Sequence, residues 1–235
     1  MGFKYFVNSN FFRNWNQRMA YTLGFIYADG NLLNDRLSRG KYVSVTNIDF
    51  WLVNSIKTWL DAEHKIKRIS PSGNNRTKYI LKIGDADIYE SLINLGLYPN
   101  KSSTVRMPKI PDKFLADFVR GYFDGDGCVY LYRSKGKRQK TILRSLSVIF
   151  TSGSKKFLED LLIKLKEKIG LKQSKVYNSH RSFQLRLTTG DSVEIFKFLY
   201  KNTNQVFLKR KFDIFCKYFT LRPERIDNRV KKILV

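Results

Sequence analysis

Apolar and polar positions alternate along the chain with two periods, and each period predicts one kind of element. Apolar residues three or four positions apart, as at Phe50, Val53 and Ile56, predict helices. Shorter stretches in which apolar and polar residues alternate predict strands. The elements predicted for the N-terminal part are, in chain order, a helix to about residue 28, strands over 31–37 and 41–46, a helix over 49–60, strands over 65–70 and 77–83, and a helix over 85–95.

The same order of elements recurs after a proline-marked joint at Pro108 and Pro111. The predicted elements there are a helix over 112–123, strands over 127–133 and 141–150, a helix over 154–169, strands over 175–179 and 182–188, and helices over 191–200 and 206–219. The pattern predicts an α+β protein with two αββαββα halves, which indicates an internal repeat. We expect halves at 1–105 and 106–222, and a basic, loosely held tail at 223–235.

Two similar motifs stand at matching places in the two halves. Leu23-Gly24-Phe25-Ile26-Tyr27-Ala28-Asp29-Gly30 and Val119-Arg120-Gly121-Tyr122-Phe123-Asp124-Gly125-Asp126-Gly127 are both apolar helical stretches that end in Asp-Gly. A single Asp-Gly commonly ends a helix, but two copies followed by matching strands favour a functional role.

The motifs carry small residues at helical spacing, Gly24 with Ala28 and Gly121 with Gly125. Such stripes let two helices approach closely. If the stripes pack together, Asp29 and Asp126 meet, and a divalent cation relieves the repulsion between them. A calcium loop is the alternative for the second motif. It is excluded because Tyr122 and Arg133 would occupy its first and twelfth positions, where carboxylates belong.

Composition narrows the choice of partner. The chain has 44 Lys and Arg against 20 Asp and Glu, a formal net charge of +24, so nucleic acid is the leading partner and a generally basic surface the alternative. No apolar run is long enough to span a membrane, and we see no secretion signal. The distant cysteines Cys128 and Cys216 indicate a reducing compartment, and two histidines argue against a histidine-based nuclease.

On these motifs the chain resembles the LAGLIDADG homing endonucleases in their single-chain form with two motifs, over about residues 15–220. The last Asp of the family word is kept in both copies, whereas Tyr27 replaces its first Asp and Thr22 its initial Leu. The resemblance implies a pseudo-symmetric, intron- or intein-encoded monomer. It implies motif helices packed at a central interface and two antiparallel sheets that form a saddle over DNA.

The resemblance also implies the site. Asp29 and Asp126 would bind the metal with the carbonyls of Ala28 and Gly125, and Asn47 and Ser152 would order water. A basic residue in each half would stabilise charge on the cleaved phosphate. Lys101 is the choice in the first half, and Lys209 in the second half, with Lys211 as its competitor.

Strand alternation selects side chains that could contact DNA, because two-stranded ribbons fit the major groove. The alternative is an ordinary half-solvated sheet. The candidates are Tyr42, Ser44, Arg68, Lys78 and Lys82 in the first half, and Tyr130, Tyr132, Arg133, Lys137, Arg138, Ser145, Ser147, Lys175, Tyr177, Arg181, Gln184 and Arg186 in the second.

The resemblance implies a site-specific endonuclease that makes metal-dependent double-strand breaks with short 3′ overhangs in a long DNA target. We expect Mg²⁺ as cofactor, Mn²⁺ as a substitute, and Ca²⁺ to support binding without cleavage. The alternatives are an intron RNA maturase and a DNA-binding protein of the same fold without cleavage activity. We expect an intracellular location, in a bacterial or phage cytoplasm or an organelle, and no obligate protein partner.

Overall fold

The structure is a computed structural model that describes residues 5–35, 40–71, 76–135, 142–201 and 206–235. The chain forms two compact units, residues 1–125 and 126–235. The elements of the first unit are α1 (Gln17–Asp29), β1 (Gly30–Asp35), β2 (Gly40–Asn47), α2 (Phe50–Trp59), β3 (Ile66–Ile69), β4 (Lys78–Gly84), α3 (Ala86–Asn94) and α4 (Leu115–Asp126), whose last residue opens the second unit.

The sheet of the first unit is antiparallel, with strand order β1-β2-β4-β3. Val43 and Val45 of β2 pair with Ile83 and Leu81 of β4, and these four side chains are buried. Helices α2 and α3 pack on this sheet and cover its apolar face. Because side chains alternate along a strand, the opposite face carries the intervening, more polar residues.

The second unit contains β5 (Gly127–Lys135), β6 (Ile142–Ser152), α5 (Lys155–Ile169), β7 (Lys175–Ser179), β8 (Ser182–Arg186), α6 (Thr189–Leu199), α7 (Lys209–Leu221) and α8 (Asn228–Leu234). Its antiparallel sheet has the order β5-β6-β8-β7, the same arrangement as in the first unit. Val148, Phe150 and Leu185 are buried on the face covered by α5 and α6. The predicted repeat of elements is therefore present in the structure.

The units divide at residue 125 rather than at the predicted repeat boundary of 105, because α4 packs on α1. The two repeats of elements at 1–105 and 106–222 stay a prediction about the origin of the halves. The matching strand orders support it.

The expectation of a loosely held tail is not met. Asp227 caps α8 by accepting hydrogen bonds from the backbone N–H groups of Arg229 and Val230, and Val230 and Ile233 are buried. The buried Lys197 ammonium lies 2.7 Å from Asp227 and 2.7 Å from Glu194. The hydrogen bond from the Lys197 ammonium lowers the pKa of the Asp227 carboxyl. Although the segment is basic in composition, its two apolar residues Val230 and Ile233 form a short stripe, and α8 packs on α6.

Candidate catalytic centres and DNA-binding faces

Helices α1 and α4 approach each other within the first unit at the two motif glycines. A Cβ atom on Gly24 would lie 2.0 Å from the carbonyl oxygen of Phe118, and one on Gly121 would lie 2.0 Å from that of Tyr21. Real Cβ atoms do not come so close to backbone, so both positions require glycine. Further along, a Cβ on Gly125 would lie 2.4 Å from that of Ala28. The predicted close packing of the two small-residue stripes is confirmed.

The first carboxylate centre lies where α1 ends. Asp29 is half-buried, and the Asn47 amide nitrogen donates a hydrogen bond of 2.9 Å to its Oδ2 atom. The Asn47 side-chain oxygen in turn accepts from the backbone N–H of Asp49 at 2.9 Å, so the amide is held at both ends. Asn47 therefore orients the Asp29 carboxylate.

Lys101 completes this first centre. Its side chain is buried, and its Nζ atom donates a hydrogen bond of 2.7 Å to the carbonyl oxygen of Gly30, the residue after Asp29. A buried ammonium group supplies positive charge in a medium that screens it poorly. The phenol of Tyr27, two residues before the end of α1, donates to the carbonyl of Leu95, and burial raises the pKa of Tyr27.

The second centre repeats this arrangement around Asp126, which is half-buried at the end of α4. Lys211 is buried, and its Nζ atom donates a hydrogen bond of 2.6 Å to the carbonyl oxygen of Gly127, the residue after Asp126. Ser152 ends β6 as Asn47 ends β2, and its hydroxyl accepts from the backbone N–H of Ser154 at 3.1 Å.

The structure separates the two lysine candidates of the second half. Lys209 has a side chain that is 81% exposed and forms an ion pair of 2.8 Å with Asp213, which raises the pKa of Lys209. Lys211, the competitor, has the same contact to Gly127 that Lys101 has to Gly30. The geometry therefore favours Lys211 over Lys209 as the counterpart of Lys101 in the second half.

A signal for this choice was present in the sequence. Lys211, Phe215 and Tyr218 recur at the spacing of one helical face, and in the structure that face is buried. Lys209 lies off this stripe.

Two other acidic residues of α4 have structural partners. Asp124 is fully buried and accepts a hydrogen bond of 2.6 Å from the Tyr21 hydroxyl. Asp117 forms a buried ion pair of 2.8 Å with Arg120. These contacts distinguish Asp124 from Asp126, since only the latter is partly accessible. Across the ranges that the structure describes, no cluster of three or more His, Cys, Asp or Glu could hold a metal ion.

The open face of the first sheet carries most of the predicted DNA contacts of that half. Ser44 pairs with Lys82, and Tyr42 with Gly84, so these side chains share a face. The Lys82 ammonium lies 3.9 Å from the centre of the Tyr42 ring, a cation–π contact that holds both groups in place. Lys78 lies on the same face of β4, four residues before Lys82.

The prediction that Arg68 contacts DNA from the open face is wrong. It pairs with Tyr79, whose side chain alternates onto the helix-covered face with Leu81 and Ile83. Lys67, which the sequence analysis did not select, pairs with Ile80 and lies on the open face. The register between β3 and β4 decides this assignment, and alternation within β3 alone leaves two choices.

The second sheet brings eight of the predicted residues of its half onto one open face. Tyr130 pairs with Ser147 and Tyr132 with Ser145, and Arg186 and Gln184 lie on neighbouring β8. Lys175 and Tyr177 of β7 lie opposite Arg186 and Gln184. A hydrogen bond with the Cys128 side chain raises the pKa of Tyr130.

One of the remaining predicted contacts lies in a turn. Arg181 is exposed in the turn between β7 and β8, with φ of 54°. Lys137, Arg138 and the side chain of Arg133 fall outside the described residues.

None of the helices described is long and apolar enough to cross a membrane.

Comparison with known proteins gives a sequence match and several fold matches. Residues 113–199 match the model of the LAGLIDADG-like domain. Over 163 residues, or 66% of its length, the chain is 29% identical to a probable translation initiation factor IF-2 of Thermococcus kodakarensis. It is 28% identical over 171 residues to the corresponding protein of Methanocaldococcus jannaschii. The chain spans only 12% of the length of each of these curated relatives.

Among solved structures, the meganuclease I-AabMI bound to uncleaved DNA matches with a TM-score of 0.60 at 17% identity, covering 90% of this chain and 92% of that one. I-SmaMI bound to uncleaveable DNA matches with a TM-score of 0.63 at 16% identity, covering 93% and 96%. I-SmaMI bound to uncleaved DNA with calcium ions matches with a TM-score of 0.60 at 14% identity, covering 94% and 97%. Residues 113–199 thus form a LAGLIDADG-like domain, and the chain has the two-half α+β fold of the LAGLIDADG homing endonucleases.

Proposed function

We propose that this protein is a site-specific DNA endonuclease that hydrolyses phosphodiester bonds with a divalent metal ion. The observation that carries the proposal is the repeated centre: a partly accessible Asp at a helix end and a buried Lys bound to the next carbonyl, found once in each unit. In both units the lysine binds the carbonyl of the residue that follows the aspartate, and a purely structural contact would not need to recur at that position. The net charge of +24 supports a polyanionic substrate.

The residues present fit a hard divalent cation. Carboxylate and carbonyl oxygens are the donors that Mg²⁺ and Ca²⁺ prefer, and Asp29, Asp126, Ala28 and Gly125 would supply them. Mg²⁺ usually keeps several waters and takes further oxygens from phosphate, so a small set of protein ligands suffices. A bound ion would make water more acidic and polarise the phosphate. Mg²⁺ is the proposed ion for cleavage, Mn²⁺ its substitute, and Ca²⁺ a support for binding alone.

The protein groups then have separate tasks. Asn47 holds the Asp29 carboxylate in one orientation through its hydrogen bond of 2.9 Å. Lys101 and Lys211 place positive charge beside the two carboxylates and fix the start of β1 and β5. Ser152 orders water in the second centre. The open faces of the two sheets hold the DNA on this proposal, as the relatives I-AabMI and I-SmaMI were solved with DNA.

The test is cleavage of a supercoiled plasmid library with candidate target sites in Mg²⁺, comparing the wild type with Asp29→Asn and Asp126→Asn. We expect linear product from the wild type only, and nearly unchanged binding by both variants in a gel-shift assay. Each change removes a charge but keeps the shape of the side chain. The matched control is Asp61→Asn, the same change at an exposed residue, which should cleave like the wild type.

Two results would count against the proposal. Unchanged cleavage by Asp126→Asn would remove this residue from the reaction. Specific binding by the wild type without any cleavage would indicate a DNA-binding protein of this fold that does not cut.

A further inference from the structure

Three side chains on the open face of the second sheet form a cluster that the proposed chemistry does not use. Gln184 and Arg186 lie two positions apart on β8, so they point to the same face, and Tyr177 of β7 pairs with Gln184. We call these three residues the Arg186 cluster. Strand β8 lies between β6 and β7, so the cluster is placed on an internal strand and not on the edge of the sheet.

The guanidinium group of Arg186 is held on two sides. Its Nε and Nη2 atoms both donate to the side-chain oxygen of Gln184, at 3.0 and 2.8 Å. The carbon at the centre of the group lies 5.5 Å from the centre of the Tyr177 ring, within the range of a cation–π contact. An exposed arginine ordinarily samples many rotamers. Here the planar fork is fixed before any ligand arrives.

These contacts use one edge of the guanidinium group and leave the other edge for a ligand. The terminal edge, formed by Nη1 and Nη2, carries two parallel N–H donors and hydrogen-bonds to no residue in the described ranges. Two adjacent acceptors, O6 and N7, are what guanine presents in the major groove. Adenine presents one acceptor and one donor there, so this edge cannot bond it in the same way.

We propose that Arg186 reads a guanine in the major groove of the target, and that Gln184 and Tyr177 are the positioning residues that aim it. The inference rests on the proposed function, because it assumes that this face binds DNA. Gln184 itself is not expected to read adenine, since that needs its side-chain oxygen as acceptor and Arg186 already occupies it. Lys175, directly opposite Arg186 on β7, adds positive charge that favours the approach of the phosphate backbone.

The experiment is selection of bound sites from a randomised duplex DNA library in Ca²⁺, followed by sequencing, for the wild type, Arg186→Ala and Arg186→Lys. We expect the wild type to enrich guanine at one position of a half-site. Both variants should lose roughly ten- to a hundredfold of that preference while other positions stay as in the wild type. Arg186→Lys keeps the charge but not the fork, so its affinity for non-specific DNA should stay close to that of the wild type.

Positioning is tested with Gln184. Gln184→Ala should relax the preference for guanine at the same position, whereas Gln184→Glu keeps an acceptor oxygen and should retain the preference even if its total affinity falls. Arg225→Ala, which removes an exposed cation away from the sheet, is the control for net charge and should leave all base preferences unchanged. Circular dichroism spectra that match the wild type establish that each variant is folded.

The outcomes separate this inference from the proposed function. A wild-type protein that enriches no sequence would overturn both. A wild-type protein with a clear target, whose base preferences survive Arg186→Ala unchanged, would overturn the guanine contact alone. A loss of affinity that is equal for all sequences would make Arg186 a phosphate ligand and would also overturn it.

Discussion

Lys211 and Lys209 lie two positions apart on α7, and the structure gives them opposite environments. The first is buried against the carbonyl of Gly127, and the second is exposed and paired with Asp213 one helical turn away. An exposed i, i+4 ion pair contributes little to stability, because solvent screens it. A buried lysine that loses its acceptor is costly, so the burial of Lys211 against the carbonyl of Gly127 calls for a function or a strong structural reason.

At this scale the proposed function predicts that Lys211→Met lowers the cleavage rate on the order of a hundredfold, because the change would remove a preorganised charge beside the reacting phosphate. Lys209→Met, the same change two positions away, should cleave close to the wild-type rate. The measurement is the single-turnover rate of plasmid cleavage in Mg²⁺, with urea unfolding to separate a loss of stability from a loss of rate. Equal cleavage rates for the two variants would contradict the choice of Lys211 over Lys209 as the lysine of the second centre.

At the scale of elements, the contact between α1 and α4 depends on two positions without side chains. Gly24 and Gly121 each bring one backbone against the other helix, with no space for a methyl group at either position. Helices that cross through ordinary side chains remain about 8–10 Å apart, so these glycines permit a closer crossing. The ends of the helices, and thus the start of both carboxylate centres, are set by this contact.

We therefore predict that Gly121→Ala destabilises the first unit by about 1–3 kcal/mol or more, because a backbone carbonyl cannot yield as a side chain would. The control is Gly190→Ala in α6, where a Cβ meets nothing within 4 Å. Ala has the higher helix propensity, so that variant should be as stable as the wild type or slightly more stable. Thermal and urea unfolding measure both. Similar unfolding midpoints for the two variants would contradict the close crossing.

The elements were largely predictable from sequence, and the exceptions have physical causes. Periodicity located the strands and helices of both halves, because each buries one face. It missed α8, whose two buried residues are surrounded by charges, and it selected Arg68 where the register favours Lys67. The motif spacing identified Asp29 and Asp126. The buried stripe of α7 favours Lys211 over Lys209, but its contact with Gly127, 84 positions away along the chain, is not encoded in the local pattern.

At the scale of the whole molecule, the dominant property is the excess of positive charge. A formal net charge of +24 gives strong attraction to any polyanion, so affinity alone does not measure target recognition. Recognition must come from particular groups such as the Arg186 cluster and the Tyr42–Lys82 pair, which are placed on sheet faces rather than in the general charge. Salt should therefore weaken the binding of non-specific DNA strongly, and should have less effect on the preference for the target sequence.

We predict that the logarithm of the affinity for non-specific duplex falls linearly with the logarithm of the KCl concentration, with a slope of about −0.9 for each phosphate contacted. The preference for the selected target over non-specific duplex should persist at higher salt. Fluorescence anisotropy with the two duplexes measures both quantities, and sucrose at equal osmolality is the uncharged control. An affinity that does not change with KCl would show that charge does not drive the association.

The lysine contacts also bear on how the protein becomes active as it is made. Lys101 follows its carbonyl partner by 71 positions and Lys211 follows its partner by 84, so each centre is closed by one of the last segments of its half. A nascent chain presents Asp126 well before Lys211 has been synthesised. On the proposed chemistry, a chain that ends between Gly127 and Lys211 would carry both aspartates but only the lysine of the first centre. Such a chain would contain one complete centre, so it would be able to nick one strand and unable to break both.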